Sequence, residues 1–104
     1  MEILKINSEN FEEEVIKSEK IVLIDFFADW CGPCKMLGPV LEDIASSRAE
    51  ISVVKVDVDK HDTLAREFGI MSIPTIIIYK NGTLMKKLVG FMPEEALLDE
   101  INNI

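Results

Sequence analysis

Ile21-Val22-Leu23-Ile24-Asp25-Phe26-Phe27 and, after Ala28-Asp29, Trp30-Cys31-Gly32-Pro33-Cys34-Lys35 are the runs from which the fold is read. The first is apolar apart from one carboxylate, the pattern of a strand buried on both faces. Beyond the second, Leu37, Leu41, Ile44 and Ala45 recur three and four residues apart, the inner stripe of a helix. The two cysteines of the chain therefore sit at a strand-to-helix junction, where α/β folds commonly place their chemistry. Pro39 removes a hydrogen bond inside that helix, so a kink is expected near Lys35.

Working outward, Glu2 to Ile6 reads as a short first strand, through Ile3, Leu4 and Ile6. Ser8 or Asn10 can cap the next helix, Asn10 with Glu13 having the form of a capping box. Phe11 and Val15 share one face of it, and the acidic run Glu12-Glu13-Glu14 reads as a solvated face near the positive end of the helix dipole. Ile51 to Asp57 is a third strand. A helix started by Asp57, Asp59 or Asp62 then carries Leu64, Ala65 and Phe68 and stops at Gly69.

Ile76 to Tyr79 and Leu84 to Val89 flank Asn81-Gly82, the signature of a two-residue hairpin turn. Leu84 and Leu88 make the returning strand amphipathic. Gly90 interrupts it, as a bulge or a point of close backbone approach. Pro93 suits the first turn of a last helix, with Leu97, Leu98 and Ile101 facing inward. The order β-α-β-α-β-α-β-β-α calls for parallel strands first and an antiparallel pair last. An α/β architecture follows, a central mixed sheet of about five strands covered by helices on both faces.

At 104 residues the chain suits one domain, 1–104. Its net charge of −8 disfavours nucleic acid and anionic membrane surfaces. No apolar run approaches the ~20 residues of a membrane span. Met1-Glu2-Ile3-Leu4-Lys5 has no signal-peptide character, so a reducing, intracellular compartment is expected.

Two cysteines separated by two residues can be a redox pair, part of a metal site or a structural disulfide. Zinc needs about four ligands, and the single histidine, His61, is distant in sequence. A structural disulfide closing so short a loop removes little unfolded-state entropy. Lys35 after Cys34 excludes the haem-attachment pattern. Redox exchange is left in front, and it needs an attacking thiolate and a second thiol to expel it. Cys31, at a helix start where free N–H groups favour the thiolate, is assigned as nucleophile. Cys34, one turn in, is the resolving thiol. Pro33 shapes the ring between them.

Asp25 is costly in an apolar strand unless paired or protonated, and burial raises its pKa. It reads either as a proton carrier for Cys34 or as a residue turned to a wet or hydrogen-bonded place. Lys55, on the neighbouring strand, can modulate it or simply be solvated. Pro74 can be a trans edge proline, the common case, or store a cis peptide. Trp30 is either a platform for partners or packing.

Taken together, Trp30 to Lys35, Asp25, Pro39, Lys55, Ile73-Pro74-Thr75, Asn81-Gly82 and Gly90 resemble the thioredoxin family along essentially the whole chain. The resemblance implies a five-stranded sheet flanked by four helices and a dithiol that reduces disulfides in client proteins. It implies an exposed Cys31, a shielded Cys34, a buried Asp25 below them and a cis Pro74 beside the sulfurs. It further implies client binding along Trp30, Gly32, Pro33, Ile73, Pro74 and Gly90, no cofactor beyond the dithiol, a thioredoxin reductase as partner, a monomer and a cytoplasmic location. Phe27 departs from the tryptophan that many family members carry there. An oxidase or isomerase on the same fold, and a non-enzymatic binding subunit or scaffold, are the competing readings.

Overall fold

The structure is a computed structural model that describes residues 4–5 and 9–104. Strand β1 is seen as Leu4–Lys5, pairing in parallel with Val54 and Lys55. The remainder of the expected first strand (Glu2, Ile3 and Ile6) and the alternative cap Ser8 lie outside the described residues. A short π-helical segment, Glu12–Ile16, follows, in which the Lys17 N–H donates to the Glu12 carbonyl. Phe11, not Asn10, occupies its cap position. Lys17 lies 3.7 and 3.6 Å from Glu12 and Glu13 on its exposed side, as befits a solvated acidic face.

Strand β2, Ile21–Phe27, is central and almost wholly buried. It pairs in parallel with β3, Ile51–Asp57, and antiparallel with β4, Thr75–Lys80. β4 in turn pairs antiparallel with β5, Thr83–Val89, giving a five-stranded sheet of order β1-β3-β2-β4-β5. Helices α1 (Gly32–Ser47), α2 (Asp62–Glu67) and α3 (Glu94–Asn102) complete the described elements. Pro39 lies inside α1, which continues through it to Ser47.

Alternation along β2 divides the core. Val22, Ile24 and Phe26 join Val54, Val56, Ile77 and Tyr79 on one face, where Val15, Leu64 and Ala65 cover them. Leu23 joins Val53, Ile76 and Ile78 on the other, beneath Leu37, Leu41 and Ile44 of α1 and Leu97 and Ile101 of α3. Each such aliphatic side chain contributes roughly 1.5–3 kcal/mol on full burial. Asp25 and Phe27 share the parity of Leu23, so the strand delivers both to the face that carries α1.

The start of α2, the course of β5 and the cap of α3 refine the local expectations. Of the three aspartates offered as its start, Asp62 is the first residue of α2, following His61 at the N-cap, and it pairs with Arg66 one turn on at 3.4 Å. Asp57 accepts the Asp59 N–H through its carboxylate at 3.0 Å and the His61 N–H through its carbonyl at 2.9 Å, so it builds the turn that leads into the helix. At the other end Gly69 and Ile70 donate to Arg66 and Ala65, a Schellman closure of the kind expected at Gly69.

Of the two readings of Gly90, the close backbone approach holds, and the bulge lies elsewhere. Tyr79 pairs with Leu84 whereas Ile78 pairs with Lys86, which leaves Met85 as the extra residue. Since paired side chains share a face, the bulge puts Leu84 with Tyr79 and Leu88 with Ile76, on opposite sides of the sheet. Leu84 is accordingly exposed, and only Leu88 packs on the core. Gly90 follows β5 with φ +97° and donates its N–H to the Pro74 carbonyl at 2.8 Å. The turn Asn81-Gly82 is as expected, with φ 51° and 77°. Pro93 caps α3 in an extended conformation, just outside the first turn.

Candidate active site

Cys31 is the N-cap of α1 and Cys34 lies in its first turn, with Pro33 among the opening positions where a missing N–H costs nothing. The two sulfurs are joined in a disulfide, Cα to Cα 5.3 Å. The Cys34 backbone N–H donates to Cys31 Sγ at 3.2 Å. A helix-terminal donor thus already points at the sulfur assigned as nucleophile, where it favours negative charge.

The exposed Cys31 implied by the resemblance is not observed. Cys31 is 5 % accessible and Cys34 4 %. In the disulfide form each sulfur covers the other, and both pack against Phe27 and Ala28 with Val58 and Ile73 alongside. What separates them is the side from which each is reached. Cys31 lines a cleft of about 490 Å³ together with Trp30, Gly32, Pro33 and Ile73. Cys34 lines a smaller one of about 280 Å³, with Phe27, Lys35, Glu42 and Lys55.

Four of the expected client-binding residues therefore meet along one cleft. Pro74 and Gly90 do not line it; they are joined by the hydrogen bond given above, and the Ile73–Pro74 peptide is cis. Thr75 fixes the same loop by donating its hydroxyl to the Ser72 carbonyl at 2.7 Å. Trp30 is 71 % exposed, and its Nε1 donates to Asp59 Oδ2 at 2.9 Å, so the ring is held at the cleft edge instead of packing inward. Sequence reasoning missed Asp59 in this role, and also Met71 and Val58 on the cleft wall. Met71, 95 % exposed, immediately precedes Ser72-Ile73-Pro74, and that adjacency was the available signal.

Asp25 is fully buried, and neither carboxylate oxygen has a hydrogen-bond partner among the described residues. Lys55 is directly opposite it in the β2–β3 ladder, with Nζ 3.8 Å from Oδ2, and the same Nζ lies 4.3 Å from the centroid of the Phe27 ring. Burial pushes the Asp25 carboxyl up to about 6, against the opposing pull of the ammonium. This is a carboxyl able to take or give a proton near neutral pH.

Among the described residues no group of three or more His, Cys, Asp or Glu side chains is arranged to hold a metal ion, and no helix is long and apolar enough to cross a membrane.

Comparison with known proteins agrees along nearly the full length. The sequence profile of a family described as Thioredoxin matches residues 2–103. A thioredoxin of Mycobacterium tuberculosis (strain ATCC 25618 / H37Rv) is 46 % identical over 102 residues, covering 97 % of this chain and 88 % of its own. A thioredoxin of Bacillus subtilis (strain 168) is 44 % identical over 103 residues, covering 98 % and 97 %. A bifunctional thioredoxin reductase/thioredoxin of Mycobacterium leprae (strain TN) is 44 % identical over 102 residues, 97 % of this chain and 22 % of that protein.

Proposed function

The chain belongs to the thioredoxin family, and from that premise we propose that it acts as a thiol-disulfide oxidoreductase that reduces disulfides in client proteins. The observation that carries this reading is the Cys31–Cys34 disulfide at the start of α1, with Cys31 on the wall of an open cleft. An insulin disulfide-reduction assay, coupled to a thioredoxin reductase, tests it. Turnover by the natural chain and none by Cys31→Ser is the expected result; equal turnover by both removes the reading.

The reaction begins from the reduced dithiol. Cys31 thiolate attacks one sulfur of the client disulfide, forming a mixed disulfide and releasing the other client sulfur as a thiolate, which takes a proton. Cys34 then loses its proton and attacks Cys31 Sγ. The Cys31–Cys34 disulfide forms, the second client thiolate leaves, and two electrons have passed to the client. Asp25 serves as acceptor of the Cys34 proton, a role supported by its burial, its oxygens free of hydrogen bonds among the described residues and a pKa of about 6. Lys55, 3.8 Å away, tempers that carboxylate.

Client backbone is bound along Trp30, Gly32, Pro33 and Ile73, supported by their shared cleft, with Pro74 and Gly90 supporting the loop behind. A thioredoxin reductase returns the disulfide to the dithiol. The joining of the two activities in the name of the M. leprae relative supports that partner. The chain works as one domain, 1–104, as a monomer in the cytoplasm, with the dithiol as its redox group and no added cofactor. The shared sheet beneath both core clusters supports the single domain.

A further inference from the structure

We propose that Phe27 is a positioning residue for the Asp25 carboxylate: its ring draws the Lys55 ammonium aside and so keeps Asp25 from being locked in a hydrogen-bonded ion pair. The inference rests on the role given above to Asp25. Asp25 and Phe27 are two apart on β2 and share a face, and Lys55 is in register with Asp25 on the adjoining strand. The ammonium lies between them, 3.8 Å from Oδ2 and 4.3 Å from the ring centroid.

An ammonium free to pair with a carboxylate closes to about 2.7–2.9 Å and donates a hydrogen bond. Here it stops at 3.8 Å, and neither Asp25 oxygen has a hydrogen-bond partner among the described residues. The ring is well inside the roughly 6 Å range of a cation–π contact, which strengthens where water is excluded. Phe27 and Asp25 are both buried, and the Lys55 side chain is only 23 % exposed. From β4 the residue opposite Asp25 is the apolar Ile76. Lys35 and Glu42 of α1, with Asp29 after β2, line the small cleft that Phe27 and Lys55 share. The ring is therefore the competing partner in contact with the ammonium.

Residue-resolved carbon NMR of the Asp25 carboxyl in the oxidised protein tests this. Phe27→Leu removes the π face, and Lys55 then closes on the carboxylate; the Asp25 midpoint is expected to fall by about 0.5 pH unit or more. Phe27→Trp keeps a π face and holds the midpoint at or above the natural value. In a Lys55→Met background, Phe27→Leu should produce no further change. An unchanged or raised midpoint in Phe27→Leu overturns the proposal. So does an equal fall in the Lys55→Met background, which would mean that the ring acts by excluding water. Phe27→Met, of similar size without a ring, is read in the same way if the leucine variant does not fold. Single-turnover rates of mixed-disulfide resolution on the same proteins keep the two readings apart. A shifted Asp25 midpoint with an unmoved rate profile would remove the relay role of Asp25 and leave the ring–lysine relationship standing.

Discussion

Lys55 stands directly opposite Asp25 in the parallel ladder, yet its ammonium stops 3.8 Å from the carboxylate, outside hydrogen-bond reach. Burial therefore outweighs the pull of the ammonium, and the folded chain holds an ionised Asp25 poorly. Between its ordinary value of 3.8 and about 6, Asp25 binds more proton in the folded than in the unfolded state, so stability falls as pH rises through that window. Asp25→Asn lacks this dependence. The stability of the variant minus that of the natural chain should grow by up to about 3 kcal/mol between pH 4 and pH 7. Denaturant unfolding at a series of pH values reads the slope; a difference that is flat with pH would show that Asp25 titrates normally.

The same carboxyl makes a kinetic prediction. If ionised Asp25 accepts the Cys34 proton, resolution of the mixed disulfide should accelerate as pH rises through about 6. Asp25→Asn should slow that step roughly 10- to 100-fold, at the low end of general-base contributions, while leaving formation of the mixed disulfide within about twofold. Stopped-flow single turnovers with a fluorogenic disulfide separate the two steps.

The cysteine roles are testable by trapping. Cys34→Ser leaves the attacking sulfur without a resolver, so a covalent adduct with a disulfide client should accumulate on non-reducing gels and disappear with dithiothreitol. Cys31→Ser should give none above background. Comparable adducts from both variants would contradict the assignment.

Trp30 is the sole tryptophan, and its indole is held by Asp59 at 2.9 Å. Asp59→Ala should free the ring, lower its steady-state fluorescence anisotropy and raise KM for protein clients several-fold with kcat little changed. A rise in KM without any loss of anisotropy would point to the charge of Asp59 and not to the ring it holds.

Two glycines should differ in what a methyl costs them. At Gly90, φ is +97° and an added Cβ meets nothing within 4 Å, so Gly90→Ala should cost only conformational strain, about 1–2 kcal/mol. At Gly82 the same strain is joined by a contact of 2.7 Å with the Ile16 carbonyl oxygen. Gly82→Ala should therefore be the more destabilising by urea unfolding.

What could be read from residues alone followed from periodicity and punctuation. The bounds of β2, the inner stripe of α1 and the Asn81-Gly82 hairpin are local signals with strong stereochemical causes. Gly90 was legible as a bulge or a close backbone approach, and it is the second; the bulge at Met85 carries no local mark, and only cross-strand register exposes it. The buried state of Cys31 was illegible for a related reason: accessibility depends on Phe27, Val58 and Ile73 closing around a disulfide, which spacing does not encode. Asp57, Asp59 and Asp62 were equivalent helix starts in sequence, and only the structure separates Asp62 in the first turn of α2 from Asp57 in the preceding turn and Asp59 against Trp30. Asp25 was recognisable as anomalous within its strand, but its lack of hydrogen bonds among the described residues needed the position of Lys55.

The extra residue at Met85 has a consequence for how molecules meet one another. β5 is a free sheet edge, and Leu84, Met85 and Val89 leave apolar surface on it. A regular edge of that kind is a template on which a second chain can extend the sheet. The bulge breaks the ladder partway along and sends the side chains on either side of it to opposite faces, while Lys86 beside the break is tied to Glu100 on one face and Lys87 to the Phe68 and Gly69 carbonyls on the other. An incoming strand finds neither a continuous row of hydrogen-bonding groups nor a single apolar face, and the edge is protected against sheet-to-sheet aggregation with no further strand paired to it among the described residues.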